Sequence, residues 1–298
     1  MYKYKAFGMN IHSEIFFPEL TVNESDVHDL TISLDKLDVF SEKSILEGEY
    51  FKVTENSIFR FWEDIGKFKI SRGNEIIVEP AQDVNEAVLR SFILGTVMAS
   101  LLHQRGLFVL HSSAVNINGK VVGFLGHKGY GKSTTAMTFY RKGYPIIADD
   151  YIALDPQNSV PLVYPGFPSL RLSYKSRDYG NFSLKRVQYN GYEIDKIHVP
   201  AQANFSLNQL PLKKLYVLKR GDCLKITDIK GQEALMKLVE NTFGIVRFKE
   251  SDFAENLKQC ASILNHVNVS HLEVPDSLRE VQGIVELVIK DINKENKE

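Results

Sequence analysis

The stretch that decides the fold is Gly126-His127-Lys128-Gly129-Tyr130-Gly131-Lys132-Ser133. It satisfies the pattern G-x-x-x-x-G-K-[S/T], and the apolar run from Lys120 to Leu125 predicts a strand that leads directly into it. The residues from Thr134 to Lys142 are compatible with a helix, and Gly143 stands where a helix C-cap glycine belongs. A strand, a glycine-rich loop and a helix in this order form a P-loop (Walker A), which binds phosphates.

The residue types in the loop fit that chemistry. Glycines let the backbone bend around phosphates, while successive N–H groups and the positive end of the helix point at the anion. The loop is expected to face solvent. Lys132 is expected to pair only with ligand and to neutralise β- and γ-phosphate oxygens, and Ser133 is expected to bind Mg²⁺. By chance the pattern arises about once per hundred chains of this length, so a glycine-rich turn without a binding function is the weaker alternative. The predicted ATP-binding residues are Gly126, His127, Lys128, Gly129, Tyr130, Gly131, Lys132, Ser133 and Thr134.

Two adjacent carboxylates follow the next predicted strand. Pro145 to Ala148 reads as a short buried strand, and it ends at Asp149-Asp150, where ligands of open α/β sheets bind. One of these carboxylates can hold Mg²⁺, directly or through water, and the other can accept the proton of an attacking hydroxyl. If Asp150 is the proton acceptor, Asp149 is the carboxylate that remains for Mg²⁺. The alternative is a helix N-cap or a solvated pair of loop residues, both common for aspartate.

His111 lies in the run from Leu107 to Val115, which is predicted to be one buried strand. Asn118-Gly119 predicts a tight hairpin turn that brings the chain back towards the P-loop. The hairpin would place His111 near the bound phosphates, where an imidazole can contact phosphate or tune a neighbouring aspartate. A lone histidine in an apolar strand is more often a core residue, so the pattern alone leaves this open.

The rest of the chain divides into three predicted parts. Residues 1–84 alternate short apolar runs with polar breaks, which predicts a small β-rich N-terminal domain. From Asn85 to His103 apolar residues recur at helical spacing, which predicts a connecting helix at 85–104. Residues 105–298 form the predicted P-loop domain. It includes proline-rich loops and short strands to about residue 210 and then three predicted helices, at Glu233 to Asn241, Phe253 to Leu264 and Ser277 to Ile292.

Composition excludes several classes of function. With 36 Lys+Arg against 37 Asp+Glu, the formal net charge is −1, and no basic field would attract nucleic acid or acidic lipid. The two cysteines, Cys223 and Cys260, are too few for a disulfide framework and lack zinc-site spacing. No stretch is expected to reach the ~20 apolar residues that span a bilayer. We therefore expect a cytoplasmic protein with no nucleic-acid or membrane partner, which is free to form a homo-oligomer.

The segment from His111 to Asp150 resembles the catalytic core of the HPr kinase/phosphorylase family. These bacterial serine kinases have a P-loop domain related to phosphoenolpyruvate carboxykinase. Their order of a strand histidine, a hairpin, a Gly-Lys-Ser loop, a helix and a strand ending in Ala-Asp-Asp is matched here through Ala148-Asp149-Asp150. The resemblance implies that Asp150 is the proton acceptor, that Lys132 and His111 act in catalysis, and that Ser133 binds metal.

Two departures narrow the resemblance. The family's acidic motif, a Glu followed by Arg-Gly that supports phosphorylase activity, is replaced here by the residues from Pro165 to Leu172, and the N-terminal unit is short. Both features are more similar to the HPr-kinase-related proteins encoded with peptide-tailoring enzymes, including those that phosphorylate lasso-peptide precursors. Arg171 could clamp a phosphate or a substrate carboxylate, although a packing arginine is an equal alternative.

The sequence thus predicts an α/β protein in which a P-loop kinase domain of the HPr kinase/phosphoenolpyruvate carboxykinase type follows a small β-rich domain. The expected reaction transfers the γ-phosphate of ATP, with Mg²⁺, to a serine of a peptide or small protein. Two alternatives stay open. One is a small-molecule or sugar kinase of the same fold, and the other is a non-catalytic nucleotide-binding regulator, which would need no base at Asp150.

Overall fold

The structure is a computed structural model that describes residues 1–39, 42–156, 160–173, 187–189, 192–194, 196–244, 250–275 and 283–295. Within these ranges, two nine-stranded sheets carry the fold, accompanied by α-helices and two small two-stranded sheets. The predicted mixed α/β class is confirmed at this level.

The first sheet is built by period-two patterning. In its centre, alternate residues such as Phe68, Ile70, Ile76 and Val78 are fully buried, as expected for a sheet with one face on the core. The strand order is β3-β1-β2-β4-β9-β8-β7-β6-β5. These strands are β1 (Tyr2–Ala6), β2 (Met9–Ser13), β3 (Thr21–Val22), β4 (Leu30–Leu34), β5 (Leu46–Gly48), β6 (Phe51–Val53), β7 (Ser57–Trp62), β8 (Gly66–Ser71) and β9 (Glu75–Pro80).

A helical segment covers the buried face of this sheet. It consists of α1 (Glu86–Phe92), a π-helical turn (Ile93–Val97) and α2 (Met98–Gln104). The helix predicted from Asn85 to His103 is therefore present, but Gly95 interrupts it with φ −90° and ψ −110°. Asn85 caps its first turn by accepting two backbone N–H bonds.

The same segment corrects one expectation from the sequence. Among the described residues, Glu86–Gln104 is long and apolar enough to cross a membrane by length and composition. However, 67% of its most apolar window is buried inside the protein, because its side chains share the core of the first sheet. Phe167 and Phe243, from the second half of the chain, join that core. The segment is thus a core helix that also contacts the second sheet.

The chain after α2 forms the second sheet, the two small sheets and the remaining helices. The strands after the helical segment are β10 (Phe108–Leu110), β11 (Ser113–Ile117), β12 (Lys120–Leu125), β13 (Ile146–Ala148), β14 (Ile152–Leu154), β15 (Leu162–Tyr164), β16 (Ser169–Ser173), β17 (Val187–Tyr189), β18 (Tyr192–Ile194), β19 (Lys196–Pro200), β20 (Leu210–Arg220), β21 (Lys225–Ile229) and β22 (Asn268–Val274). The remaining helices are α3 (Lys132–Arg141), α4 (Gly231–Asn241), α5 (Glu250–Leu264) and α6 (Gly283–Glu295), with a 3₁₀ turn at Gln202–Asn204.

The pairing of these strands positions the site. The main path is β10-β14-β15-β20-β12-β11-β13, and β22 also pairs with β20 and β21. Strand β11 runs antiparallel to both β12 and β13, so β12 and β13 are parallel and their carboxyl ends lie at the same edge. β12 leads into the P-loop and β13 leads into Asp149-Asp150, so these two segments are about 10 Å apart in strand spacing.

Helices cover both faces of this sheet. Buried residues of α4 and α5 pack in one apolar cluster with the strands, while those of α3 and α6 pack in a second cluster. The fully buried Lys214 ties α6 to the sheet by ion pairs with Asp291 (2.7 Å) and Asp228 (3.4 Å). The helices predicted at residues 233–241 and 253–264 are confirmed, and of the one predicted from Ser277, residues 276–282 lie outside the described ranges.

One predicted strand is wrong as a single element. The run from Leu107 to Val115 is two strands, β10 and β11, that change partners at His111-Ser112. β10 pairs with β14, whereas β11 pairs with β12. The hairpin between β11 and β12 is confirmed, with φ 53° at Asn118 and φ 80° at Gly119, which are the positive values that a tight two-residue hairpin requires.

Candidate active site

The P-loop leaves the end of β12 and enters α3 through three glycines with positive φ, of which Gly126 is the first and Gly131 the last. Gly126 has φ 140°, and a Cβ there would lie 3.1 Å from the carbonyl oxygen of Leu218. Gly131 has φ 95° and immediately precedes Lys132, the first residue of α3. Any side chain at Gly126 would therefore press on β20, and any side chain at Gly131 would strain the backbone at the start of the helix.

Lys132 pairs with the protein's own backbone, and not only with ligand as expected from the sequence. It is only 7% exposed, and its Nζ donates to the carbonyl oxygens of Gly126 (2.6 Å) and His127 (3.4 Å). The ammonium is therefore held by the loop's own backbone. A buried cation needs such partners, which is why the lysine makes contacts within the protein rather than with ligand alone.

The backbone N–H groups of the loop are suited to bind a phosphate. The N–H groups at the start of a helix lack partners within that helix, and α3 begins at Lys132 and Ser133. Residues His127 to Gly129 are exposed, and Ser133 and Thr134 are half-buried. No heavy atom lies within 4 Å of a Cβ built at Gly129 or Gly131. The loop thus combines an anion-attracting helix end with an accessible approach.

Asp149 is anchored through both carboxylate oxygens. Its Oδ1 accepts a hydrogen bond from the hydroxyl of Ser113, at the start of β11. Its Oδ2 accepts from the backbone N–H of Arg171, at 2.5 Å. Each carboxylate oxygen has a second lone pair, so these bonds orient the group and still permit metal binding. Asp149 fixes β13, β11 and β16 relative to one another.

Asp150 lies close to two other predicted residues, Arg171 and His111. Its backbone has φ 67°, in the left-handed region that non-glycine residues rarely occupy. Arg171 Nη1 donates to its Oδ2 at 2.8 Å, and His111 Nε2 lies 3.9 Å from its Oδ1. Backbone conformations of this kind cost of order 1–3 kcal/mol and cluster at functional sites. The carboxylate is mostly enclosed, with 11% of the side chain exposed.

His111 is a boundary residue rather than a core residue. Its side chain is 35% exposed, and its ring meets that of Tyr151 edge-on at 5.3 Å. It occupies the break between β10 and β11, where its backbone N–H donates to the carbonyl oxygen of Asn241 at 2.8 Å. The change of strand partner at this residue is what turns the imidazole towards Asp150.

Sequence reasoning missed Asn241, the last residue of α4. Its Oδ1 accepts the N–H of Gly126 at 3.1 Å, and its own carbonyl oxygen accepts the N–H of His111. Its Nδ2 donates to the carbonyl oxygen of Lys237 at 2.8 Å, which orients the amide. Asn241 therefore connects the P-loop to the histidine beside Asp150. A helix-ending asparagine is common, so no sequence signal singled it out.

Ser113 and Gly95 were missed as well. Ser113 holds Asp149, as described above. A Cβ at Gly95 would lie 3.3 Å from Arg171 Nη1 and 3.8 Å from Asp150 Oδ2. The π-helical turn therefore approaches the Arg171–Asp150 pair closely enough that a larger residue would displace the guanidinium.

Metal binding was predicted for Ser133 and Asp149. Among the described residues, no group of three or more His, Cys, Asp or Glu side chains could form a metal site by itself. Mg²⁺ at phosphates needs only one or two protein ligands beside the phosphate oxygens, so the hydroxyl and the carboxylate fit that role in type. Both lie at the edge of the sheet that carries the P-loop.

Comparison with known proteins finds one relative that is similar in sequence over part of the chain. The chain is 32% identical over 103 residues to HPr kinase/phosphorylase from Halalkalibacterium halodurans, which covers 32% of this chain and 33% of the relative. The chain is HPr-kinase-like over part of its length. The match spans about a third of the curated relative. This partial similarity supports the HPr-kinase-like resemblance that was stated from the residues.

Two further comparisons do not support an assignment. No protein-family model matches the chain. Among solved structures, the Hpr(Ser) kinase/phosphatase from Coxiella burnetii covers 64% of this chain and 99% of its own, with a TM-score of 0.34 and 13% identity. Both values are too low to assign a fold.

Proposed function

We propose that the protein is an ATP-dependent phosphotransferase of the HPr kinase type that phosphorylates a serine hydroxyl. The observation that carries the proposal is the convergence of Arg171 and His111 on the backbone-strained Asp150, at the same sheet edge as the P-loop. A phosphate-binding loop alone would serve a regulator equally well. A carboxylate beside that loop, held by Arg171 and close to His111, supports proton transfer.

The loop residues bind and position the donor. The backbone N–H groups of residues 126–134 and the N-terminus of α3 hold the triphosphate, and Lys132 neutralises charge that moves onto the leaving oxygen. To do so, its ammonium exchanges the carbonyl oxygens of Gly126 and His127 for phosphate oxygens. Mg²⁺, when bound by Ser133 and Asp149, offsets the negative charge of the phosphates.

Asp150 accepts the proton of the serine hydroxyl. Arg171 holds Oδ2 in place, so Oδ1, on the His111 side, is the oxygen that faces the reaction. His111 orients the carboxylate and contributes positive charge when it is protonated. Arg171 is thereby a positioning residue for the base. This role differs from both alternatives that the sequence left open, a clamp for phosphate or substrate carboxylate and an ordinary surface or packing arginine.

The acceptor we propose is a serine in a peptide or small protein, with a lasso-peptide precursor as one candidate. The support is the segment from Pro165 to Leu172, which stands where the resembled family has its acidic Glu-Arg-Gly motif. Here the segment supplies Arg171 to Asp149 and Asp150 instead of a carboxylate. Without that carboxylate, we expect a one-way kinase that lacks phosphorylase activity. We propose that its catalytic unit is the P-loop domain at residues 105–298 and that it acts in the cytoplasm.

The test is to incubate the chain with ATP, Mg²⁺ and serine-containing peptides, and to look for a mass gain of one phosphate. Lys132→Ala is the matched inactive variant, and we expect it to abolish transfer and weaken ATP binding. Transfer at the wild-type rate by Lys132→Ala would disprove the proposal. ATP binding without transfer to peptides, small alcohols or sugars would favour a regulator. Phosphorylation of sugars alone would favour a small-molecule kinase.

A further inference from the structure

A groove of about 420 Å³ opens beside the candidate active site. It is lined by Glu49, Tyr50, Phe51, Trp62, Ser91, Phe92, Thr96 and Arg171. One wall comes from the turn and strands at the end of the first sheet, and the other comes from the helical segment that leads to Gly95. This volume lies within the range of about 300–1,000 Å³ typical of ligand sites.

The groove is continuous with the site through Arg171. The same guanidinium that lines it donates from Nη1 to Asp150 at 2.8 Å. Ser91 and Arg171 also line the small cavity that reaches Asp149 and Asp150. A molecule seated in the groove would therefore have its inner end about one side chain away from the predicted base.

The walls of the groove are aromatic. Tyr50 and Trp62 stack with their ring centroids 6.3 Å apart and planes 14° from parallel, and Phe92 meets Trp62 edge-on at 4.8 Å. Tyr50 is 46% exposed, so the apolar surface is accessible. Rings arranged in this way bind a large apolar side chain well, since each offers a wide face with few rotatable bonds.

Two hydrogen-bond donors stand at the inner end. Among the described residues, the buried Ser91 Oγ and Arg171 Nε have no hydrogen-bond partner. Buried polar atoms are normally satisfied, and an exception calls for a ligand or another explanation. A hydroxyl and a guanidinium N–H both donate to oxygen, so an amide carbonyl of an incoming chain fits them.

We infer that this groove binds the acceptor segment of a peptide substrate, with a large apolar side chain on Tyr50 and Trp62 and a main-chain carbonyl at Ser91 and Arg171. The inference rests on the proposed kinase function. The order of the first sheet supports an extended peptide, because β5 ends that sheet within the described residues and leads into Glu49 and Tyr50. Strand edges pair with extended peptides through main-chain bonds.

Trp62 makes this testable without catalysis, because it is the chain's one tryptophan. The full chain is titrated, without nucleotide, with short serine peptides of Gly, Ala and Lys in which one position at a time carries Leu or Phe. An otherwise identical all-alanine peptide is the reference. Free serine, glycerol and glucose are titrated separately, to test whether a small molecule binds in the groove instead of a peptide. ATP binding and phosphate transfer are measured in parallel with radiolabelled ATP.

We expect Leu or Phe at one preferred position to shift Trp62 emission saturably. Tyr50→Ala should weaken that binding about tenfold, the scale of a central aromatic contact. Tyr2→Ala is the matched control, since Tyr2 is 48% exposed on the same sheet but outside the groove, and it should bind as wild type. Ser91→Ala removes one donor without a large change of volume and should also weaken binding.

Four results would overturn the inference: equal binding of the all-alanine peptide, equal losses in Tyr50→Ala and Tyr2→Ala, a shift of Trp62 emission by free small molecules alone, or no shift with any peptide. Failure of the kinase proposal is distinguishable from these. In that case the peptides would bind as expected while the chain failed to bind ATP or transfer phosphate. The peptide site would then stand, and its role as an acceptor site would fall.

Discussion

Asn241→Ala is expected to weaken ATP binding while leaving the fold intact. The variant removes the acceptor of the Gly126 N–H, which is 3.1 Å away and belongs to a buried residue at the start of the P-loop. The backbone bond from His111 to residue 241 is retained, because it uses the main-chain carbonyl. The perturbation therefore acts mainly on the loop.

The size of the effect follows from the lost acceptor. A buried N–H without a partner costs about 1–3 kcal/mol, which corresponds to about a 5- to 150-fold change in an equilibrium constant. In the free protein the loop can shift so that the N–H reaches water, since residues 127–129 are exposed. The cost then appears when ATP requires the original loop conformation, as a higher Kd for ATP.

The assay is a titration with a fluorescent ATP analogue, combined with thermal unfolding and steady-state kinetics. Glu240→Ala is the control, because Glu240 precedes Asn241 in the same helix and pairs with Lys237 at the surface. We expect Glu240→Ala to bind ATP as wild type, and Asn241→Ala to raise KM for ATP more than it lowers kcat. An unchanged Kd together with a markedly lower melting temperature would show that Asn241 stabilises only the fold, and would refute the reasoning.

Four further outcomes are expected. Asp150→Asn should keep ATP affinity and lose phosphate transfer by at least about 10²-fold, the scale of a general base, and unchanged turnover per bound ATP would rule out that role. His111→Ala should reduce turnover with little change in melting temperature, since the side chain is partly exposed, whereas early melting with full activity per folded molecule would indicate a structural role. The hydrogen bond from Ser270 lowers the pKa of Asp228, so its stabilisation is present above the ordinary carboxyl pKa near 3.9 and is lost as pH falls through the lower folded-state value. At pH 7, Asp228→Asn should therefore have a free energy of unfolding lower than that of wild type by under about 1 kcal/mol, since this group is largely exposed. The difference should vanish in acid. A difference that urea unfolding shows to be independent of pH would contradict this. Burial raises the pKa of Cys260 to about 11, so iodoacetamide at pH 8 should leave it unmodified in the folded protein and should alkylate it after unfolding, as mass spectrometry can check.

Local features of the chain were predictable because their causes are local. The P-loop pattern and the Asn118-Gly119 turn depend on backbone conformations that glycine and asparagine favour within a few residues. The helical segment and the strands of the first sheet follow from the spacing of apolar residues along short windows. These signals also placed Asp149 and Asp150 at the carboxyl end of a strand, on the same edge as the loop.

The change of strand partner at His111 could not be predicted in this way. An apolar run from Leu107 to Val115 has the same pattern whether it pairs with one neighbour or with two. Only the sheet order, in which β10 joins β14 and β11 joins β12, breaks the run and turns the imidazole to Asp150. The burial of Lys132 against its own loop carbonyls is likewise a result of the folded loop.

By itself, the sequence identified the residues that we propose bear the chemistry of this protein, namely the loop from Gly126 to Ser133 and the Asp pair. Tertiary structure decided what surrounds them. The contacts of Asp149 with Ser113 and with Arg171 span 36 and 22 positions, and that of Gly126 with Asn241 spans 115. Contacts at such separations depend on strand order and helix packing. The periodicity of residues within a short window does not indicate which distant side chains the strand order and the helix packing bring together.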